Sequence, residues 1–266
     1  EYGCHALALS LLGNVLRLRY QGDVLKRDTL KELPVKAEGN KTSRHAFKVM
    51  QAYEDWFEGT PELSLLYILG LFDHPVEIEA LEALWDAEIT GLTDRFQKAE
   101  WLSAIDSLRH DHRILADFTQ DEQSTETAQT LDCHPLIREY FGGQLEDNKP
   151  EIWQAAHECL YEYYKALPEK ELPDTLEEMR PLFRAVRHGC KAELTQSAFV
   201  EVFWDRIERG TQTYLNTALK AYSDELSVIT NFFSKPWSTL KEGLHDACKN
   251  VLISLVPFNL NLLGRV

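Results

Sequence analysis

Residues 62–72, ELSLLYILGLF, constrain this chain more than any other stretch. Thr60 and Pro61 before it suit an N-cap and a first helical position, and Asp73-His74-Pro75 after it stop a helix. The segment between is apolar almost all round. Such a helix has no face to give to water, so it must lie centrally with other helices packed about it. The flanking sequence supplies them. HAFKVMQAYEDWF puts Phe47, Met50, Tyr53 (or Ala52) and Phe57 on one helical face. Ile78, Leu81 and Leu84 make a further stripe, and Trp101, Leu102, Ile105 and Leu108 another. Residues 6–19, ALALSLLGNVLRLR, form a strongly apolar helix, followed by a short one after Asp23. KAEGNKTS, 36–43, reads as a linker, with a new helix from Arg44.

The helical pattern then breaks. RILADFT alternates, with Ile114, Ala116 and Phe118 on one side, and AQTLDC places Leu131 and Cys133 on one side. The acidic QDEQSTET between them reads as a hairpin loop. Helices followed by one β-hairpin are the pattern of a winged-helix domain. From Pro135 onward the chain reads as helix again. Leu136, Ile137, Tyr140, Phe141 and Leu145 form one stripe, and Ile152, Ala156, Cys159, Leu160 and Tyr163 the next. Thr175 and Glu178 have capping-box spacing. Phe199, Phe203 and Ile207, then Leu226, Ile229 and Phe232, continue the series. The expected fold is mainly α: a winged-helix domain with one β-hairpin, then an α-helical hairpin array of tetratricopeptide-like character without a clean 34-residue repeat.

The bulk numbers exclude several classes of function. The chain has 266 residues and a formal charge of −15. Binding to nucleic acid or an anionic membrane rests on clustered Lys and Arg, which such a balance opposes. No apolar run is long enough to cross a bilayer. The first residue, Glu1, is not an initiator, and the chain is expected to be a segment of a longer protein. Its five cysteines form no CxxC pair, which fits a reducing, cytoplasmic setting with buried thiols. His110 and His112 have no second ligand pair at zinc spacing and read as a solvated helix end, so no metal is expected. There is no GxSxG or HExxH. His157 with Glu158, and His188 with Cys190, sit within packing helices and read as structural. The aromatics Trp153, Tyr161, Tyr163, Tyr164, Phe199, Phe203 and Trp204, at helical spacing, read as core.

Three stretches, and a fourth further along the chain, carry a family resemblance. GCHALALSLLGNVLR (3–17) looks like a GxPLAL motif and its helix, and residues 62–85 like the start of a winged helix. CHPLIREYF (133–141) aligns with a Met-His-Asp motif, and PDTLEEMRPLFRAVRHGCKA (173–192) resembles a connection to repeats. In this order they resemble the region downstream of the nucleotide-binding core in signal-transduction NTPases with numerous domains (the STAND class, with its NB-ARC and NACHT proteins). The likeness is closest to bacterial, defence-type members that continue into tetratricopeptide repeats. The resemblance implies three parts: 1–40, the end of the NTPase module; 41–146, a winged helix; and 147–266, a helical arm. It implies an autoinhibitory, nucleotide-sensing relay that is not itself an enzyme, since no GxxxxGK[ST] loop is present. ADP or ATP would be held with the upstream domain. The partners would be that domain and downstream repeats in cis, with a protein partner or a second copy in trans. The family's proline corresponds to His5, its methionine to Cys133 and its aspartate to Pro135.

The site residues follow. Pro135 fits a first helical position, which makes His134 its N-cap at a helix end whose dipole favours an anion. The residues alone leave two readings open, a simple cap or a phosphate contact; the resemblance implies that His134 meets the β-phosphate of ADP. By the same resemblance Gly3 and His5 would line the adenine side, although His5 also reads as a plain loop residue. Two alternatives need no nucleotide: a DNA-binding winged helix, opposed by the acids of KAEWLSAIDSLRHDH and QDEQSTET, and a helical protein-interaction scaffold.

Overall fold

The computed structural model describes residues 6–29, 41–116 and 130–264. They are predominantly helical, with two small antiparallel sheets. One compact unit ends at Ile152 and a second begins at Trp153, within one helix.

In the first unit α1 (Ala6–Arg19) packs on α2 (Lys41–Trp56). α2 begins at Lys41, inside the expected linker; residues 36–40 of that linker lie outside the described residues. α3 (Pro61–Leu69) is the apolar segment, and Leu65, Leu66, Ile68 and Leu69 are fully buried, as a helix without a polar face requires. Thr60 is its N-cap in extended conformation, but its hydroxyl donates back to Phe57 O at 3.0 Å and makes no cap bond forward. β1 (Val76–Glu77), a pairing too short to leave an alternating pattern in sequence, leads into α4 (Ile78–Asp86). α5 (Lys98–Asp106) runs on into a π-helical turn, Ser107–Asp111. β2 (Thr130–Leu131) pairs antiparallel with β1, Val76 opposite Leu131, and α6 (Pro135–Asn148) follows.

Only part of the expected hairpin falls on described residues. Leu115 bridges Cys133 in antiparallel fashion, and Ala116 N–H donates to Asp132 O at 2.8 Å. Phe118, the loop QDEQSTET and Ala128 lie outside the described residues. The alternation there is corrected: Ile114 and Leu115 are both buried and Ala116 is exposed, because the chain leaves the π turn with Arg113 at φ +52° and not in a regular strand. His112 is corrected too. It is buried, and the rings of Tyr53, Trp56 and Phe57 stand edge-on to it at 5.7, 5.0 and 4.8 Å. Burial therefore lowers its pKa. Asn14 and Arg17 of α1 donate to His112 O and Asp111 O, at 2.6 and 2.7 Å, and satisfy carbonyls at the end of the turn.

Three helices of this unit share one carboxylate. Glu54 on α2 accepts from Tyr67 Oη of α3 at 2.8 Å and from Tyr140 Oη of α6 at 2.7 Å. Both phenols are buried, and burial, then the bond to Glu54, raises their pKa values. Glu54→Leu is expected to cost about 2 kcal/mol, since it leaves one phenol without an acceptor and the other with only Gln51 at 3.3 Å. Chemical denaturation checks this; a loss under about 0.5 kcal/mol would show the network to be dispensable.

The second unit begins in α7 (Pro150–Ala166) and continues through α8 (Leu176–Lys191), which opens on the expected capping box of Thr175 and Glu178. A single turn, α9 (Thr195–Ser197), runs into a π-helical stretch, Ala198–Ile207, that packs on α8. A Cβ on Gly189 would stand 2.8 Å from the Tyr161 ring and 2.9 Å from Ala198 Cβ, so glycine lets these elements approach. α10 (Tyr214–Thr217), α11 (Tyr222–Thr230) and α12 (Asp246–Leu262) complete the unit. Between the last two lies a second hairpin, β3 (Phe233–Lys235) with β4 (Thr239–Leu240), where helix was expected. Pro236 and Trp237, the latter at φ +61°, turn the chain there.

The buried stripe of α7 also differs from expectation. It runs through Trp153, Ala156, His157, Leu160, Tyr161 and Tyr164, while Ile152, Cys159 and Tyr163 are only half-buried. The aromatic core reading holds for Trp153, Tyr161, Tyr164, Phe199 and Phe203; Tyr163 and Trp204 are half-buried. Among the described residues Cys133, Cys190 and Cys248 are buried free thiols and Cys159 is half-buried.

Candidate functional site at the β2–α6 junction

The junction is built by the bonds that stop a strand and start a helix. After the Leu115–Cys133 bridge the chain turns into Pro135, whose missing N–H costs nothing at a first helical position. His134 is the N-cap. Its Nδ1 accepts from Leu136 N–H at 3.2 Å, and its carbonyl accepts from Ile137 N–H at 2.8 Å. Since Nδ1 is the acceptor, the neutral ring carries its proton on Nε2. Asp132 pairs with Arg138, one turn into α6, so the two residues clamp the strand end to the helix. The Arg138 side chain is buried and the Asp132 side chain half-exposed. Burial pushes the Cys133 thiol up to about 12, against the opposing pull of Arg138, so it is neither a thiolate nor a ready nucleophile.

The chemistry available here is anion recognition. An exposed imidazole with an Nε2–H donor stands at the positive end of a fourteen-residue helix. Gly3 and His5, the other two expected site residues, lie outside the described residues. No group of three or more potential metal ligands of the His, Cys, Asp or Glu type occurs among the described residues.

Three other constellations are brought together by the fold. An open groove of about 680 Å³ beside the start of α5 has Trp85, Trp101 and Phe96 in its wall. The two indoles stack at 5.5 Å with planes 13° apart, and Phe96 meets Trp101 edge-on. Glu82, Asp86, Glu88 and Asp94 also line it, and Lys98 is held by Glu82 at 2.5 Å. In the second unit, His157 Nδ1 and His188 Nδ1 lie 2.7 Å apart, both rings fully buried. One proton must sit between them. One ring donates through its Nδ1–H and the other accepts, so the two imidazoles cannot both carry their proton on Nε2. Burial first, then Lys191 and Lys241, hold the His157 pKa well below the usual range. The third constellation is Glu208 and Glu225 with Asn216 and Asn259, all buried. Burial, then the facing Glu225, pushes Glu208 up to about 8, and burial pushes Glu225 up to about 7.

No family model, curated protein or solved structure matches the chain.

Neither the histidine pair nor the carboxyl cluster was found from sequence. His157 and His188 were each considered with a neighbour in the chain, Glu158 and Cys190, whereas the fold pairs them with each other across 31 residues. No helix among the described residues is long and apolar enough to cross a membrane.

Proposed function

We propose that the chain is the regulatory and relay segment of a STAND-type signal-transduction NTPase. In this reading residues 1–40 end the NTPase module, 41–146 form a winged-helix module and 147–266 an arm leading toward repeats, in a cytoplasmic protein. One observation carries the proposal: His134 stands exposed at the start of α6, its Nδ1 capping the helix and its ring at the positive end of the helix dipole. That is the polarity a phosphate oxygen needs. The order of elements supports it, with α3, β1, α4, α5, the Leu115 bridge and β2 leading to that helix. With ADP held by an upstream nucleotide-binding domain, the His134 contact would favour the closed state. Nucleotide exchange would remove the contact, and only that differential affinity can shift the balance. The acids beside α5 favour this reading over a DNA-binding one, because a DNA reader needs bases on that element.

The test is made in the full-length parent protein. His134→Asn keeps a good N-cap but shortens the donor. It is expected to leave the melting temperature within about 2 °C of wild type, to lower ADP retention and to raise basal output. Unchanged ADP occupancy and output in this variant would overturn the proposal.

A further inference from the structure

Glu208, Glu225, Asn216 and Asn259 come from four elements of the second unit: the residue closing the π stretch, α11, α10 and α12. Glu208 and Glu225 are 0 % exposed, Asn259 0 % and Asn216 4 %. The Asn259 amide donates to Glu225 Oε2 at 3.0 Å and to Leu255 O at 3.0 Å. Asn216 sits beside Glu225 and lowers its pKa without completing a hydrogen bond, and the charge of Glu225 acts on Glu208. Five oxygens of the cluster have no partner among the described residues: both of Glu208, Oε1 of Glu225, and Oδ1 of Asn216 and Asn259.

Buried carboxyls without hydrogen bonds are rare because their desolvation goes uncompensated. The bases nearest in sequence do not compensate them. Arg206 donates to Lys165 O at 2.6 Å and Glu171 O at 3.0 Å. Arg209 turns to Pro173 O at 2.6 Å and lies over the Tyr214 ring at 3.5 Å. No Lys or Arg is among the groups that shift Glu208 or Glu225. The cluster thus has two acids, no base, and oxygen atoms left over. Oxygen-rich, doubly acidic surroundings are what hard divalent cations select. A site this dry suits calcium better than magnesium, which gives up its waters reluctantly.

We infer that Glu208, Glu225, Asn216 and Asn259 form a binding site for a calcium-type divalent cation, which ties α12 to the rest of the second unit. Since the ligands converge only when α10, α11 and α12 are in place, binding is linked to folding of this region. The inference is independent of the nucleotide reading.

The experiment uses the full chain, stripped with a chelator, at pH 8. Calorimetry in CaCl₂ or MgCl₂ is combined with metal counting after dialysis. Calcium at about a hundredfold excess over its Kd is expected to raise the melting temperature by about 5 to 10 °C, magnesium by less, with one calcium per chain. Glu208→Gln is expected to abolish the shift. Asn216→Asp adds a third carboxylate and is expected to tighten calcium about tenfold. Should Glu208→Gln fail to fold, Asn216→Asp decides alone, and unchanged or weaker affinity overturns the site. No calcium shift in wild type, or an equal shift in Glu208→Gln, also overturns it. If Glu208→Gln stabilises the chelated protein while calcium does nothing, protons neutralise the cluster and no cation does.

Discussion

Gly70→Ala is expected to cost the first unit about 3 kcal/mol or more. Gly70 follows α3 and Gly142 lies within α6, and here the two backbones meet. A Cβ on Gly70 would stand 2.3 Å from Gly142 N and 2.6 Å from its Cα. A Cβ on Gly142 would stand 2.6 Å from Gly70 O. The obstacle on both sides is main chain, which cannot swing aside as a side chain can. The two helices would have to separate, and α3 is the fully buried centre of the unit. Gly143→Ala is the control. A Cβ there meets nothing within 4 Å, and alanine in a helix interior is favoured over glycine by about 0.5–1 kcal/mol. Adjacent substitutions of the same type should therefore move stability in opposite directions. Urea denaturation reads both. Equal effects at 142 and 143 would show that the helices do not cross at this point.

The second large effect is an acid limb in the stability of the second unit. His157 is held neutral in the fold, with its pKa well below the usual value near 6.5. Below pH 6.5 the unfolded chain binds a proton that the folded chain refuses. Stability thus rises with pH through this range and is lost as pH falls, by up to about 1.4 kcal/mol per unit. The surroundings oppose the charge. Lys191 and Lys241 act on His157, the Trp153 ring stands edge-on at 4.2 Å, and the His188 ring stacks on Tyr164 at 5.5 Å. His157→Gln retains an amide that can bond the His188 ring nitrogen but does not titrate. Its slope over this range should be flatter by about one proton. Hydrogen exchange at the amides of α7 and α8, followed against pH, measures it. Matching slopes in the two proteins would mean that His157 is not the group responsible.

The two effects differ in how far sequence could have anticipated them. The apolar run of residues 62–72 already demanded a central helix, and it is central. Pro135 after His134, and Thr175 before Glu178, announced two helix starts, because caps depend on residues a few positions apart. Those rules are local, so a linear string displays them. Gly70 and Gly142 carry no such signal. Each is an ordinary helix glycine until the fold brings them together from 72 positions apart. The π stretch of Ala198–Ile207 and the β3–β4 hairpin likewise depend on what packs against them more than on intrinsic preference.

The candidate site at His134 divides in the same way. Its helix-end position and capping role follow from sequence, whereas its tautomer follows from the bond that Nδ1 makes to Leu136. The chain's residues alone determined the mainly helical class, the central helix and the helix caps, since period and capping are short-range properties. The tertiary structure alone decided which polar residues share the interior: Glu54 with two tyrosines, His157 with His188, and Glu208 with Glu225. Burial makes a polar group seek a partner, and which partner is within reach is settled by packing across tens of residues.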